Sequence, residues 1–336
     1  MKGHKHNIFV ICLILFSQFT CVAQAKYEGL SGQLLFDAVR ESCAPKSYIS
    51  LNEVWTAFRT TDNVGNNTII NRFSADKYCF IEQDASPEGL NVANILPKAW
   101  WADGYGENMD LDLHNLLPAP IEVRNLKRDY PPGRIDEPTF DNGFWAVGLM
   151  QFGDDYINVY APPKGYEGDF ARAVFYILTV YPSARFSGFG VNFCLKASFP
   201  ILQPWSKRHL LAWANSDPVD DNERARNDAI FNIQGNRNHF IDFPELIDYI
   251  WGEKASMPYE PPKEEIQPTP LRATYHLTED VIDLFSPYIP QDATWTIDGK
   301  DATKNSYSPE ELGIGLHNIT YRTASVFGKI IIEIVQ

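Results

Sequence analysis

The sequence predicts an α+β protein in which a mixed helical domain is followed by a small all-β domain. Three observations carry that prediction. Apolar residues recur at helical spacing in several segments between Leu30 and Asn227. Proline, glutamate and lysine take over the composition between Glu253 and Pro270. The remainder alternates apolar and polar residues in short runs separated by turns.

Taken in order, the chain opens with Lys2 and Lys5, an apolar run from Ile8 to Phe16, and Ala23-Gln24-Ala25. This is the pattern of an export signal with a small-x-small cleavage site, so residues 1–25 are expected to be removed and the mature protein to be secreted or periplasmic. The run is too short for a stop-transfer helix, and no transmembrane segment is expected. Lipid attachment at Cys21 is the rival expectation, but Gln18-Phe19-Thr20 before it lacks the usual small residues.

Leu30 to Val39, with the small Gly32, fits a first amphipathic helix, and Asn52 to Thr60 a second short element whose Trp55 and Phe58 are core candidates with Tyr48. Asn63 to Asn67 reads as a turn before a strand-like run from Thr68 to Phe73. Ala173, Tyr176, Ile177 and Val180 fall at helical spacing in an apolar stretch from Gly168 to Tyr181, which predicts a buried helix. Another helix is expected from Asp217-Pro218-Val219. The first domain therefore spans 26–252. A semi-rigid linker over 253–270 follows, its Pro258, Pro261, Pro262, Pro268 and Pro270 excluding a helix. In the 271–336 domain, Thr294 to Ile297, an Asp298-Gly299 turn, His317 to Tyr321 and Lys329 to Val335 read as strands of an immunoglobulin-like module.

The net charge is −14, and near −16 once Lys2 and Lys5 are gone. Phosphate affinity comes largely from Lys and Arg, so a nucleic-acid binder this acidic must concentrate its bases locally. Three cysteines remain after residue 25, Cys43, Cys79 and Cys194, which permits one disulfide at most and is too dispersed for a metal cluster. Gly-rich phosphate loops, Gly-x-Ser-x-Gly elbows and His-Glu-x-x-His zinc motifs are absent.

The chemistry-bearing stretch runs from Gly89 to Gly133. It contains Val92-Ala93-Asn94-Ile95-Leu96-Pro97, then Asp112-Leu113-His114-Asn115-Leu116-Leu117-Pro118, then Val123-Arg124-Asn125-Leu126-Lys127-Arg128-Asp129-Tyr130-Pro131. Further on lie Gly168-Asp169-Phe170-Ala171-Arg172 and Gly235-Asn236-Arg237-Asn238-His239-Phe240-Ile241-Asp242. Their order and spacing resemble the endonuclease I family from about Tyr27 to Gly252, with the Gly235–Asp242 run the most specific signature. His239 stands where that family usually has Pro, and Glu167 where it usually has Lys.

The resemblance implies a strand-turn-strand-helix (ββα-metal) finger. In it a His acts as general base, and a Glu and an Asn hold one divalent metal, Mg²⁺ being expected in active members. Here Ala93 replaces that Glu, Asn94 the His and Arg124 the Asn. A carboxamide has no basic site near neutral pH, so base catalysis worth about 10²–10⁴-fold is lost. A methyl group offers no ligand to a hard cation, and a guanidinium places positive charge where the metal would sit.

The expectation is therefore a catalytically impaired homologue without metal ligands. The alternative is an active non-specific endonuclease with a rearranged site, for which His114 is the candidate substitute base. Arg124 can pair with a phosphate bidentately, which makes nucleic acid the candidate partner. Lys98, Asn115, Lys127 and Arg128 are candidate contacts beside it. Asn236, Arg237 and Asn238 are read either as lining the groove or as pinning their loop. Trp100 and Trp101 are candidates for base stacking, with core packing the simpler role.

Overall fold

The computed structural model describes residues 26–81, 85–101, 108–182, 184, 186–196, 201–262, 274–278, 282–284, 293–304, 306–322 and 327–336. The expected export signal, Cys21 and the linker from 263 onward lie outside the described residues. The fold class is mixed α+β, and no described helix is long and apolar enough to cross a membrane. The chain divides into two compact units between Pro261 and Pro262. This division falls in the middle of the proline-rich stretch, because Tyr259 belongs to the first unit. Its ring is fully buried, its backbone exchanges hydrogen bonds with Gly29 and Leu30, and its hydroxyl donates to Glu245 at 2.6 Å.

In the first unit α1 (Gly32–Cys43) buries Leu35, Phe36 and Val39, and α2 (Val54–Thr61) buries Val54, Trp55 and Phe58. The strand expected over Thr68 to Phe73 is cut to β1 (Thr68–Ile69), paired with β2 (Tyr78–Cys79). Asn71 ends it: its side chain accepts from Phe73 N and donates to Ser74 Oγ, while Arg72 turns inward to Asp62 at 3.1 Å. Local side-chain hydrogen bonds thus compete with the ladder.

β3 (Leu90–Asn94) and β4 (Leu116–Pro120) form an antiparallel pair, followed at once by α3 (Ile121–Lys127). β5 (Glu137–Asp141), β6 (Ala146–Phe152) and β7 (Asp155–Ala161) make a three-stranded sheet. The buried helix expected from Gly168 is α4 (Glu167–Val180), in which every residue from Phe170 onward is buried. It is the axis of the main core. α5 (Phe189–Cys194), α6 (Pro204–Ser216), α7 (Asp221–Gln234), α8 (His239–Asp242) and α9 (Leu246–Ile250) complete the unit. Asp220 caps α7 by accepting from Glu223 N, and Gly235 ends it in the left-handed region at φ 73°, which favours glycine. Cys43, Cys79 and Cys194 are all free thiols.

The second unit is a β region, as the alternation requires. Its strands are β8 (Thr274–His276), β9 (Ile282–Asp283), β10 (Thr294–Ile297), β11 (Lys300–Asp301), β12 (Ser306–Tyr307), β13 (Gly315–Arg322) and β14 (Phe327–Val335), with one helical turn, α10 (Pro309–Leu312). Five strands align as β11-β10-β13-β14-β8, and β12 pairs with β9. Ile297, Ile319, Ile332 and Ile334 alternate inward to form its core. Asp298 and Gly299 both have positive φ, 50° and 77°, so the predicted two-residue turn joins Ile297 to Lys300.

Candidate functional site: the β3–β4–α3 hairpin and helix

Ala93 and Asn94 end β3, opposite Leu117 and Leu116. The long connection to β4 is clipped at its base by Asn115, whose backbone carbonyl accepts from Ile95 N and whose Oδ1 accepts from Leu96 N at 2.9 Å. Asn115 Nδ2 donates to Met109 O, so this buried side chain is spent on holding the loop. α3 starts without a turn residue to spare, Ile121 N donating to Gly89 O, and seats Val123 in the core.

Successive positions of α3 then meet opposite environments. Arg124 and Arg128 are exposed and form no ion pair among the described residues, and Arg128 closes the helix at φ 48°. Lys127, expected beside them as a phosphate contact, is turned inward instead. Its Nζ donates to Asn94 O at 2.7 Å and Ile95 O at 2.8 Å and sits 4.6 Å from the centroid of the Tyr160 ring. Burial pulls its ammonium down to about 7, while the two carbonyls and the ring face favour the charge. Lys98 is exposed and paired with Asp110 at 2.7 Å. Trp100 and Trp101 are buried, Trp100 Nε1 donating to Asp129 O, so core packing is their role.

His114 lies in the interior, 3% exposed, its ring 4.6 Å from that of Tyr176. Burial lowers its pKa to about 4, and its Nε2 has no hydrogen-bond partner among the described residues. It borders a cavity of about 40 Å³ shared with Arg72, Asp169, Glu223 and Arg226 and with Ile95 and Leu117 of the hairpin.

Asn236, Arg237 and Asn238 are also buried. Asn236 Nδ2 donates to Cys43 O and Tyr176 Oη, Arg237 pairs with Asp242 and Asp228, and Asn238 caps α8 while donating to Arg172 O. These intramolecular partners pin the loop, and Asn238 also lines the small cavity beside His114.

The sequence reading missed what this loop braces. Asp112 accepts from the hydroxyls of Tyr176 and Tyr181, both at 2.7 Å, and from Gln234 Nε2 at 3.0 Å; Gln234 Oε1 accepts from Leu113 N. Arg226 donates to Leu113 O and Leu116 O and pairs with Asp62. Helix α7 and the signature loop therefore seat the turn that leads into β4. Beside them Arg172, 1% exposed, bridges Glu223, Asp169 and Asp217 O. Burial raises the pKa of both carboxyls; the charge of Asp169 adds to the rise at Glu223, and those of Asp217 and Asp220 to the rise at Asp169. Long-range partners of this kind leave no periodic signal in sequence.

The residues at the expected metal position do not fit a divalent cation. They present a methyl group, a carboxamide that hydrogen-bonds to no described residue, and a guanidinium. The nearby carbonyls of Asn94 and Ile95 are held by the Lys127 ammonium. Among the described residues no three His, Cys, Asp or Glu side chains converge as a metal site would need.

The family model for endonuclease I matches residues 35–245. Over 249 residues the chain is 30% identical to an extracellular ribonuclease of Bacillus subtilis (strain 168), covering 67% of this chain and 76% of the relative. It is 29% identical over 236 residues to an extracellular ribonuclease of Bacillus amyloliquefaciens, covering 66% and 75%. The family model and these relatives define a nuclease-type protein. The chain belongs to the endonuclease I family.

Proposed function

We propose that this protein is an exported, catalytically impaired member of its family that binds nucleic acid without cleaving it. On this reading β3, β4 and α3 are the ββα finger, with Ala93, Asn94 and Arg124 at its reactive positions. The single observation that carries the proposal is the loss of all three donor groups from one intact hairpin and helix. A general base and a metal each stabilise the transition state of phosphodiester hydrolysis, the metal by several kcal/mol, and neither contribution has a source there. Export is supported by the N-terminal pattern and by the relatives, which are named extracellular.

Arg124 is the residue that adds chemistry. Exposed and without an ion pair among the described residues, its guanidinium meets a phosphate through two parallel hydrogen bonds. Arg128, one helical turn on, extends the same positive edge.

A plasmid-nicking assay in Mg²⁺, Mn²⁺ or EDTA tests the proposal. The unmodified protein is expected to leave plasmid intact, and the triple variant Ala93→Glu, Asn94→His, Arg124→Asn to gain metal-dependent cleavage. Cleavage by the unmodified protein that EDTA abolishes would establish the rearranged-site alternative instead.

A further inference from the structure

Most aromatic clusters of the first unit are packed away in its interior; the one on α6 reaches the surface. Trp205, His209 and Trp213 follow one another at four-residue intervals, with ring centroids 5.8 and 6.2 Å apart. Phe152, 37% exposed at the tip of the β6–β7 hairpin, extends the row at 6.0 Å from Trp205. Trp205 roots the row in the core, whereas His209 and Trp213 are half-exposed along the boundary of the helix.

His209 is oriented for recognition. Its Nδ1 lies 2.9 Å from Trp205 O, and because a carbonyl only accepts, Nδ1 carries the proton. Nε2 is then a lone-pair acceptor, hydrogen-bonded to no described residue and flanked by two indoles. On the exposed flank of the same helix stands Arg208, in no ion pair with another described residue. Asp154 and Asp155 lie beside Phe152, so the charge that suits a phosphate is on the Arg208 side.

We propose that the Phe152–Trp205–His209–Trp213 row with Arg208 is a docking face for single-stranded nucleic acid, separate from the Arg124 edge. It rests on the functional reading above only for the class of ligand. The part-exposed rings of Phe152, His209 and Trp213 offer stacking platforms around the buried Trp205, Arg208 meets the backbone, and His209 Nε2 accepts from a base N–H or a ribose hydroxyl. The face begins one short helix away from the end of α3. Gln203 N donates to Cys194 O at 2.7 Å, joining α6 to α5, and Gly190 of α5 packs against Asp129 and Trp100.

Fluorescence anisotropy of labelled short oligo(dT) and oligo(rU) on the full chain, at about 50 mM salt where phosphate contacts are strong, tests the inference. Trp213→Leu and the exposed change Arg208→Glu are each expected to weaken binding by about tenfold, with thermal unfolding of Arg208→Glu unchanged. Arg124→Ala is the control. Loss of binding in Arg124→Ala with both α6 variants unaffected would overturn the α6 face and leave the Arg124 edge standing. The reverse pattern would support the face and remove Arg124 from nucleic-acid binding. An unmodified chain that binds neither oligonucleotide, or binds a neutral oligosaccharide instead, would overturn the face.

Discussion

The hairpin and helix of β3, β4 and α3 contrast with the polar interior around Asp112, Arg172 and the Gly235–Asp242 loop. At the hairpin the three positions that would carry chemistry hold a methyl group, a carboxamide and an exposed arginine. In the interior each of the named polar groups finds partners in the fold, from the two tyrosine hydroxyls on Asp112 to the paired carboxylates on Arg237. The physical stakes explain the contrast. An altered group on the exposed side of α3 is solvated and costs little, whereas a buried polar group without its partner costs its full desolvation. The interior braces the hairpin, so on the function proposed above the site keeps its frame while its centre changes.

The largest effect is expected where the ionic interior is broken. Arg172→Ala leaves the buried Glu223 without its cation and the part-buried Asp169 with only Arg72 nearby, and urea unfolding should show a loss of about 3–5 kcal/mol. A loss below about 1 kcal/mol would mean that water reaches these carboxyls and that the interior is no more demanding than the surface.

A pH series sharpens the same point. His114 is held neutral with its pKa near 4, so between that value and the ordinary 6.5 the unfolded chain binds a proton that the folded chain refuses. Its contribution to stability is present above about pH 6.5 and is lost as the pH falls toward 4. Asp169 and Glu223, with raised pKa values, act in the opposite sense, losing their contribution as pH rises. The informative quantity is therefore a difference. Relative to the unmodified chain, His114→Phe should gain on the order of 2–3 kcal/mol across that acidification, and a constant difference would place His114 in contact with solvent.

The smallest effects divide one helix. Lys127→Ala uncovers the carbonyls of Asn94 and Ile95 and should cost about 1–3 kcal/mol in thermal or urea unfolding. Arg124→Ala, three residues earlier, should leave stability within about 0.5 kcal/mol while abolishing salt-dependent nucleic-acid binding at that edge. Equal costs at the two positions would remove the distinction between brace and site.

Much of this was readable in advance. The apolar run of α4 admits only a buried helix, Asp298-Gly299 specifies its hairpin turn, and the identities of Ala93, Asn94 and Arg124 decide the donor chemistry whatever the fold does with them. These are local properties of side-chain type and spacing, which the chain carries before it folds. Tertiary structure alone decided direction. Lys127 and Arg124 are both basic residues of one seven-residue helix, too short for periodicity to name its inner face. Asn236 finds Tyr176, Gln234 finds Asp112, and Arg226 finds Leu116 across long separations in sequence. A buried polar group is placed by partners that arrive only when the chain closes on itself, and those partners turned the signature loop into the brace of the site.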